Sequence, residues 1–137
     1  MAGLAFAIFG VSCSQGGRKV EMNDIEGSVW DSIEEFYYDN SDTLSRREIA
    51  ICLRYDRGCV ADSVVVDVLT LSPGMLLFEE PFTLHIPPLS NMRPEEHTYT
   101  YRRNVILGEE GRYMFRLTPH SPVEGVASVG IIISAQE

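Results

Sequence analysis

The sequence predicts an all-β protein, an antiparallel β-sandwich of about seven to eight strands in an immunoglobulin-like or jelly-roll-like arrangement. Short segments alternate apolar and polar side chains with period two, as strands with one buried face do. These segments recur at roughly 8–12-residue spacing between turns of Pro, Gly and Asp. No segment has the length and 3.6-residue periodicity of a long helix. The 137 residues suit one domain with its own core.

Residues 107–119, LGEEGRYMFRLTP, give the strongest strand prediction. Gly111 permits a tight turn ahead of the strand, because it has no Cβ. Three apolar side chains then share one face and are predicted to enter the core: Tyr113, Phe115 and Leu117. We expect this strand to pair with the segment 98–107 in a C-terminal hairpin whose exposed tip carries Glu109 and Glu110.

Further strands are predicted over 33–38, 48–55, 63–71, 82–86 and 125–134. Segments 48–55 and 63–71 should form a hairpin with a loop of about six residues. A short helix over 28–36 is the alternative to the first strand, since Trp30, Ile33 and Tyr37 also fit a period near 3.6. Arg103 interrupts the apolar face of 98–107, which indicates a change of exposure or a bulge there.

The N-terminus has the features of a bacterial lipoprotein signal. Residues 1–12 are uncharged and mostly apolar, and too short to span a bilayer. Gly10-Val11-Ser12-Cys13 then has the form of a cleavage box with Cys13 as the acylated residue, although no Lys or Arg precedes the run. The alternative is a buried strand with an incidental cysteine. The predicted organisation is therefore a signal peptide over 1–12, a flexible tether over 13–27 and one β-sandwich domain over 28–137.

The charge balance limits the kinds of partner. The formal net charge of −9 argues against nucleic acid, because phosphate binding needs a basic surface. An exported protein can keep disulfides, but Cys52 is predicted inside a strand and Cys59 in the following turn. Their Cα atoms should then lie too far apart for a bridge, so we expect two unpaired cysteines.

Candidates for chemistry are sparse, and we predict no enzyme activity, no cofactor and no metal. Four acid pairs fall in predicted turns and edges, where hydrophilic side chains are common: 34–35, 79–80, 95–96 and 109–110. Ser121 next to His120 lacks a nucleophile elbow. Asp39, Asn40 and Asp42 supply hard oxygen ligands for calcium, but an Asx turn explains them as well. The three histidines lack zinc-ligand spacing.

Aromatic side chains suggest one binding function. Trp30 and four tyrosines could form a platform for sugar rings on a face of the sandwich, Tyr37, Tyr38, Tyr99 and Tyr101. Aromatic residues at strand spacing also serve as core. A cell-surface carbohydrate-binding module is therefore the alternative function.

The chain resembles the gliding-motility H family of lipoproteins, found in gliding bacteria and their non-gliding relatives. The N-terminal matches are Cys13, Trp30 ahead of Phe36-Tyr37-Tyr38, the strand ICLRYD with Arg54, and a valine strand ending in Leu71-Ser72-Pro73. The C-terminal matches are Tyr101-Arg102, the GRYMFRL strand with Gly111, Tyr113 and Phe115, and Gly125-Val126 leading to Val129-Gly130-Ile131. Where the family usually has an Asp-Gly-x-Trp-x-Gly loop, this chain has PGMLLFEEPFTLHIPP.

The resemblance implies a lipid-anchored, non-enzymatic component of the bacterial cell envelope. Its partners would be other envelope proteins, including those of the gliding and secretion apparatus. Strand edges or loops would provide docking, and the lipid on Cys13 would fix the protein to the membrane, on the periplasmic or the surface face. Stable anchoring needs more than one acyl chain.

Overall fold

The computed structural model describes residues 17–89 and 93–136, and this part of the chain is all-β. Its strands are β1 (Arg18–Asp24), β2 (Val29–Trp30), β3 (Glu34–Asn40), β4 (Arg46–Tyr55), β5 (Ser63–Leu71), β6 (Leu77–His85), β7 (Glu95–Ile106), β8 (Gly111–Pro119), β9 (Val123–Glu124) and β10 (Val126–Ala135). A 3-10 turn, Glu26–Ser28, precedes β2. The strand predicted over 33–38 is confirmed over the helical alternative, because β3 covers most of that segment.

Two four-stranded antiparallel sheets form the sandwich. The first has the order β1-β10-β4-β7, and the second has the order β3-β8-β5-β6. The ribbon β2-β9 is a separate two-stranded sheet whose residues Trp30 and Val123 pack into the same core. Numbered one to eight, the longer strands have the orders 1-8-3-6 and 2-7-4-5. These are the strand orders of a jelly roll. Of the two predicted arrangements, the fold is therefore the jelly-roll-like one and not the immunoglobulin-like one.

The inner faces of both sheets make one hydrophobic core. Alternate residues of β4 and β10 on the first sheet, such as Ile51 and Val129, pack against alternate residues of β5 and β8 on the second, such as Val66 and Phe115. Alternation in the sequence therefore did identify the buried face. Burying such apolar side chains contributes most of the free energy of folding.

Both predicted hairpins are wrong. β4 pairs with β10 and β7, whereas β5 pairs with β6 and β8, so the 56–62 connection passes from one sheet to the other. The 107–110 turn likewise joins β7 in the first sheet to β8 in the second. In a jelly roll most successive strands alternate between sheets. Among the eight longer strands of the described chain, only β5 and β6 are both successive and paired.

Three further segments differ from or refine the prediction. The tether over 13–27 is corrected, because β1 lies within it and pairs with β10 from Arg18 opposite Ser134 to Asp24 opposite Ser128. The domain therefore begins before residue 28. β6 is one strand from Leu77 that includes Pro81, which an edge strand tolerates. The bulge predicted near Arg103 is confirmed, since the β4–β7 register shifts there and Asn104 has a φ of 58°.

Pairing defines two ends of the sandwich. We call basal the end that holds the start of β1 and the loops 41–45, 72–76 and 107–110. The opposite, apical end holds the segments 25–28, 56–62 and 120–125. The side chain of Asn40 ties the basal end together, because its Nδ2 donates to the carbonyl oxygens of Leu107 and Glu109 at 2.8 and 2.9 Å.

Candidate functional site

The predicted site residues that the structure describes lie in different environments. Cys13 falls outside the described residues. Trp30 is fully buried beneath the apical end, where its Nε1 donates to the carbonyl oxygen of Ser32 at 2.9 Å. Arg54 is exposed on β4, in register with Ser128 and Glu96. Because Trp30 is buried and Arg54 is exposed, these two residues do not share a surface that a small ligand could occupy.

The resemblance residues on β8 and β10 have structural positions. Tyr113 and Phe115 are buried in the core, and the Tyr113 hydroxyl accepts a hydrogen bond from the Glu109 N–H at 3.1 Å. Gly111 begins β8 opposite Asn40 with a φ of 130°. A Cβ there would lie 2.9 Å from the Pro73 side chain. The strand therefore needs glycine at its entry.

Two glycines of the last strand region allow close approach. Gly125 has a φ of 83°, and a Cβ on it would overlap the backbone of Cys59. Gly130 faces β1, and a Cβ on it would overlap the Met22 thioether and lie 2.5 Å from the Glu21 carbonyl oxygen. These contacts hold the 56–62 connection and β1 against β10.

The predicted aromatic platform is not assembled. Trp30 is buried, while the hydroxyls of Tyr99 and Tyr101 donate to the His85 carbonyl oxygen and to Glu80. Tyr37 is 42% exposed, and the Arg112 guanidinium lies over its ring. The Lys19 ammonium and the Arg47 guanidinium both lie over the Tyr38 ring. Four of the five rings thus serve packing or edge contacts.

His120 has a carboxylate partner, but it does not form a nucleophilic triad with Ser121. Its Nε2 lies 2.8 Å from Asp67 Oδ1 on the outer surface of the second sheet. Ser121 lies with it at the rim of a shallow hollow also lined by Val60 and Ala61. Within residues 17–89 and 93–136 the Ser121 side chain makes no hydrogen bond to the imidazole. His120 and Asp67 therefore form an exposed hydrogen-bonded contact, and such surface contacts have little effect on stability.

Both described cysteines are unpaired, as predicted. Cys52 is buried on the outer face of the first sheet, where its Sγ donates to Glu96 Oε2 at 2.9 Å. Burial, followed by that carboxylate, raises the pKa of the Cys52 thiol to about 12. Burial also raises the pKa of Cys59. Both thiols stay protonated near neutral pH, a state that disfavours nucleophilic chemistry.

The acidic loop residues are already engaged. Asp39 pairs with Arg112 at 2.9 Å, and the Asn40 amide binds the two basal carbonyls. Asp42 Oδ1 accepts the N–H groups of Leu44 and Ser45 at 3.0 Å, which is the Asx turn offered as the alternative to calcium. No group of three or more His, Cys, Asp or Glu side chains in the described ranges is arranged to hold a metal ion.

Side-chain contacts close both lateral edges of the sandwich, which the sequence did not indicate. On one side, Glu21 Oε1 of β1 accepts the Tyr37 N–H of β3 at 3.1 Å, and Asn23 Nδ2 donates to Glu34 Oε1 at 3.0 Å. On the other, Glu80 of β6 pairs with Arg102 and accepts from Tyr101 of β7. The Glu21 contact occupies a backbone N–H of β3 that an incoming strand would need, whereas the others join side chains across the edges.

The basal end carries the most unusual surface. Met75, Leu76, Leu77 and Phe78 are consecutive and each is more than half exposed, and Leu44 and Ile106 are exposed at the same end. Most of the exposed large apolar residues of the described chain thus lie at one end. Clustered exposed apolar side chains mark contact surfaces, whereas single ones do not. The basal end is therefore the candidate functional site.

Comparisons with known proteins leave the family open. No protein-family model matches the sequence, and a search of the curated proteins finds no match. None of the described residues forms a helix long and apolar enough to cross a membrane.

Solved structures share the fold type only distantly. The chain is similar to part of dimeric latent PorU from Porphyromonas gingivalis, with 10% identity and a TM-score of 0.40, covering 88% of this chain and 13% of that one. It is similar to part of the enzymatically active domain of tailspike protein 4 from bacteriophage CBA120, with 10% identity, a TM-score of 0.37 and coverages of 88% and 19%.

A third similar structure is a carbohydrate-binding module of the β-sandwich superfamily, with 8% identity, a TM-score of 0.29 and coverages of 90% and 57%. The chain therefore spans less than two thirds of each of these three solved chains. At such identities and TM-scores these likenesses carry nothing about its function. The fold and the candidate site define an all-β sandwich domain with an apolar basal end.

Proposed function

We propose that this protein is a lipid-anchored, non-enzymatic lipoprotein of the bacterial cell envelope that acts as an interaction or assembly component. The observation that carries the proposal is the Gly10-Val11-Ser12-Cys13 box after an uncharged apolar run, only five residues before β1. A lipid on Cys13 would hold the folded domain directly at the membrane surface. The resemblance to gliding-motility H lipoproteins supports the same assignment.

The surface of the sandwich favours loops over strand edges as the docking elements. Glu21 already binds an outward N–H of the edge strand β3, and Pro81 in the edge strand β6 has no N–H to offer. Partners would be other envelope proteins, and by resemblance those of the gliding and secretion apparatus. Such partners would meet the loops that stay free when the lipid is in the membrane.

Metabolic labelling with palmitate tests the anchor. We expect the wild-type protein to incorporate label and to fractionate with membranes, and a Cys13→Ala variant to do neither. Cys59→Ala is the matched control, because it removes another cysteine of the same chain and should leave labelling unchanged. Label that persists in Cys13→Ala, or no label in the wild type, would remove the proposal.

Crosslinking in native membranes tests the interaction role. We expect a discrete envelope protein to crosslink to the wild type and to be lost when Cys13→Ala releases the chain from the membrane. A protein that is labelled with palmitate but gives no crosslinked species would keep the anchor and remove the assembly role.

Carbohydrate binding is the alternative proposal, but the buried Trp30 does not favour it. Of the five predicted aromatics, only Tyr37 leaves its ring clearly exposed on this fold. Binding on a glycan array, abolished by Tyr37→Ala at the one clearly exposed ring, would support the alternative.

A further inference from the structure

Several chain segments converge at the basal end. Arg18 at the start of β1 is paired with Ser134, and Ala135 is paired with Arg47 near the start of β4. In the same sheet Arg46 faces Ile106. In the second sheet Leu71 faces Leu77, and the Gly74 N–H donates to Glu109 Oε1 at 2.6 Å across two loops. The start of β1 and the apolar 75–78 run therefore both lie at the basal end.

The apolar run is presented by an ordered turn. The Met75 N–H donates to the Ser72 carbonyl oxygen at 2.9 Å, and the Leu76 N–H donates to Ser72 Oγ at 3.0 Å. Ser72 in turn donates its N–H to the Leu76 carbonyl oxygen at 2.9 Å. Met75 has a φ of 71°, a left-handed conformation that favours glycine. Met75 thus places an exposed apolar side chain at a strained backbone position, where glycine would be favoured.

The short distance along the chain from Cys13 to β1 indicates what would cover the apolar basal surface. Arg18 is five residues along the chain from Cys13, so even a fully extended chain reaches only about 18 Å. A lipid on Cys13 would therefore bring the bilayer to the basal end and not to the apical end.

The distribution of charged side chains between the two ends agrees with a bilayer at the basal end. The exposed basic residues Arg18, Arg46 and Arg103 lie at or near the basal end and balance exposed acids there such as Asp42 and Glu110. At the apical end acids outnumber the exposed Arg54 and Arg57, and these acids include Asp24, Glu26, Asp31, Asp62 and Glu124. An anionic leaflet would repel the apical end more strongly than the basal end.

We propose that Met75–Phe78, together with Leu44 and Ile106, enters the headgroup region of the bilayer that holds the lipid of Cys13. The domain then stands on the membrane with its basal end down and its apical loops directed towards partners. The proposal rests on the lipid anchor of the proposed function. It adds a second membrane contact from the folded domain, and side chains at the interface strengthen the hold of an acyl anchor.

Two probe positions with similar exposure at opposite ends test the orientation. Leu76 is 70% exposed at the basal end, and Val60 is 86% exposed at the apical end. In a Cys59→Ser background, Leu76→Cys and Val60→Cys are each labelled with the environment-sensitive dye NBD. The mature proteins are reconstituted in phosphatidylethanolamine–phosphatidylglycerol vesicles that contain nitroxide-labelled lipid. Intact mass on the same samples reports whether Cys13 carries lipid.

We expect the probe at 76 to shift to shorter emission wavelength and to be quenched by the nitroxide lipid several-fold more than the probe at 60. Equal quenching at both positions in lipid-bearing protein would overturn this inference and leave the anchor intact. A Cys13 without lipid would overturn the proposed function and this inference with it. If position 76 is shielded from water only when a second protein is crosslinked to it, the surface belongs to a protein partner. That result would also contradict membrane contact.

Discussion

The side-chain amide of Asn40 donates a hydrogen bond of 2.8 Å to the carbonyl oxygen of Leu107, 67 residues away in the sequence. Asn40 ends β3 in the second sheet, and Leu107 follows β7 of the first. The same amide also donates to the Glu109 carbonyl oxygen. One buried side chain thus joins the two sheets where the apolar basal surface is built.

Removing this amide should destabilise the domain. Asn40→Ala leaves a buried and a partly buried carbonyl group without their donor, and we expect a loss of about 2 kcal/mol in the free energy of unfolding. Urea denaturation measures it. Asn23→Ala is the control, because Asn23 also joins the sheets but is only partly buried, and it should cost less than about 1 kcal/mol. Equal losses would contradict the role given to Asn40.

The close approach of β1 to β10 depends on Gly130. In Gly130→Ala the new methyl group would overlap Met22 and approach the Glu21 carbonyl oxygen, and we expect a loss of about 2 kcal/mol in the free energy of unfolding. Gly108→Ala is the matched control, because nothing lies within 4 Å of its added Cβ. Indistinguishable urea midpoints for the two variants would show that β1 does not pack as described.

Strain at Met75 should be relieved by glycine. Met75→Gly places the favoured residue at a φ of 71°, so we expect the free energy of unfolding to rise by about 0.5–1 kcal/mol. Leu76→Gly, next to it and equally exposed, has no positive φ to relieve and should lower the free energy by a similar amount. Thermal or urea unfolding of the two variants checks the opposite signs. A change in the same direction would contradict the strain.

Acid should weaken the 41–45 turn. Hydrogen bonds from Ser45, then from the Leu44 and Ser45 N–H groups, and the nearby Arg47 lower the pKa of Asp42 to about 2, from the ordinary value of 3.8. A lowered folded-state pKa stabilises the fold above about pH 4, and this contribution is lost as the pH falls towards 2.

The difference in stability between wild type and Asp42→Asn should therefore shrink as the pH falls from 5 to 2 in urea denaturation. Asp62→Asn removes an exposed carboxylate at the apical end and controls for the change in net charge. A difference for Asp42→Asn that stays constant over this pH range would argue against ionised Asp42 as the stabilising form.

Local pattern predicted the strands better than their pairing. Tyr113, Phe115 and Leu117 alternate, and all three are buried on β8. Asp56-Arg57-Gly58 can turn a hairpin or begin a crossover equally well, so composition could not place β4 and β5 in different sheets. β1 was assigned to a tether because its residues are mostly polar. Its partner, β10, lies more than a hundred residues further along the chain.

The candidate site was visible only in part. The Met75–Phe78 run is apparent in the sequence, but an apolar run of that length is usually buried. Its exposure, and its place at the same end of the sandwich as the start of β1, depend on the crossover from the first sheet to the second. Nothing in the sequence predicts the hydrogen bonds from Asn40 to the 107–110 turn, because an asparagine at that position indicates only a turn.

Intact-mass spectrometry of the protein extracted from native bacterial membranes tests the lipid anchor most directly. We predict a mature chain that begins at Cys13, has lost residues 1–12 and carries the added mass of acyl chains on that cysteine. An unmodified mass with a free Cys13 thiol would contradict the anchor and the membrane-facing basal end together.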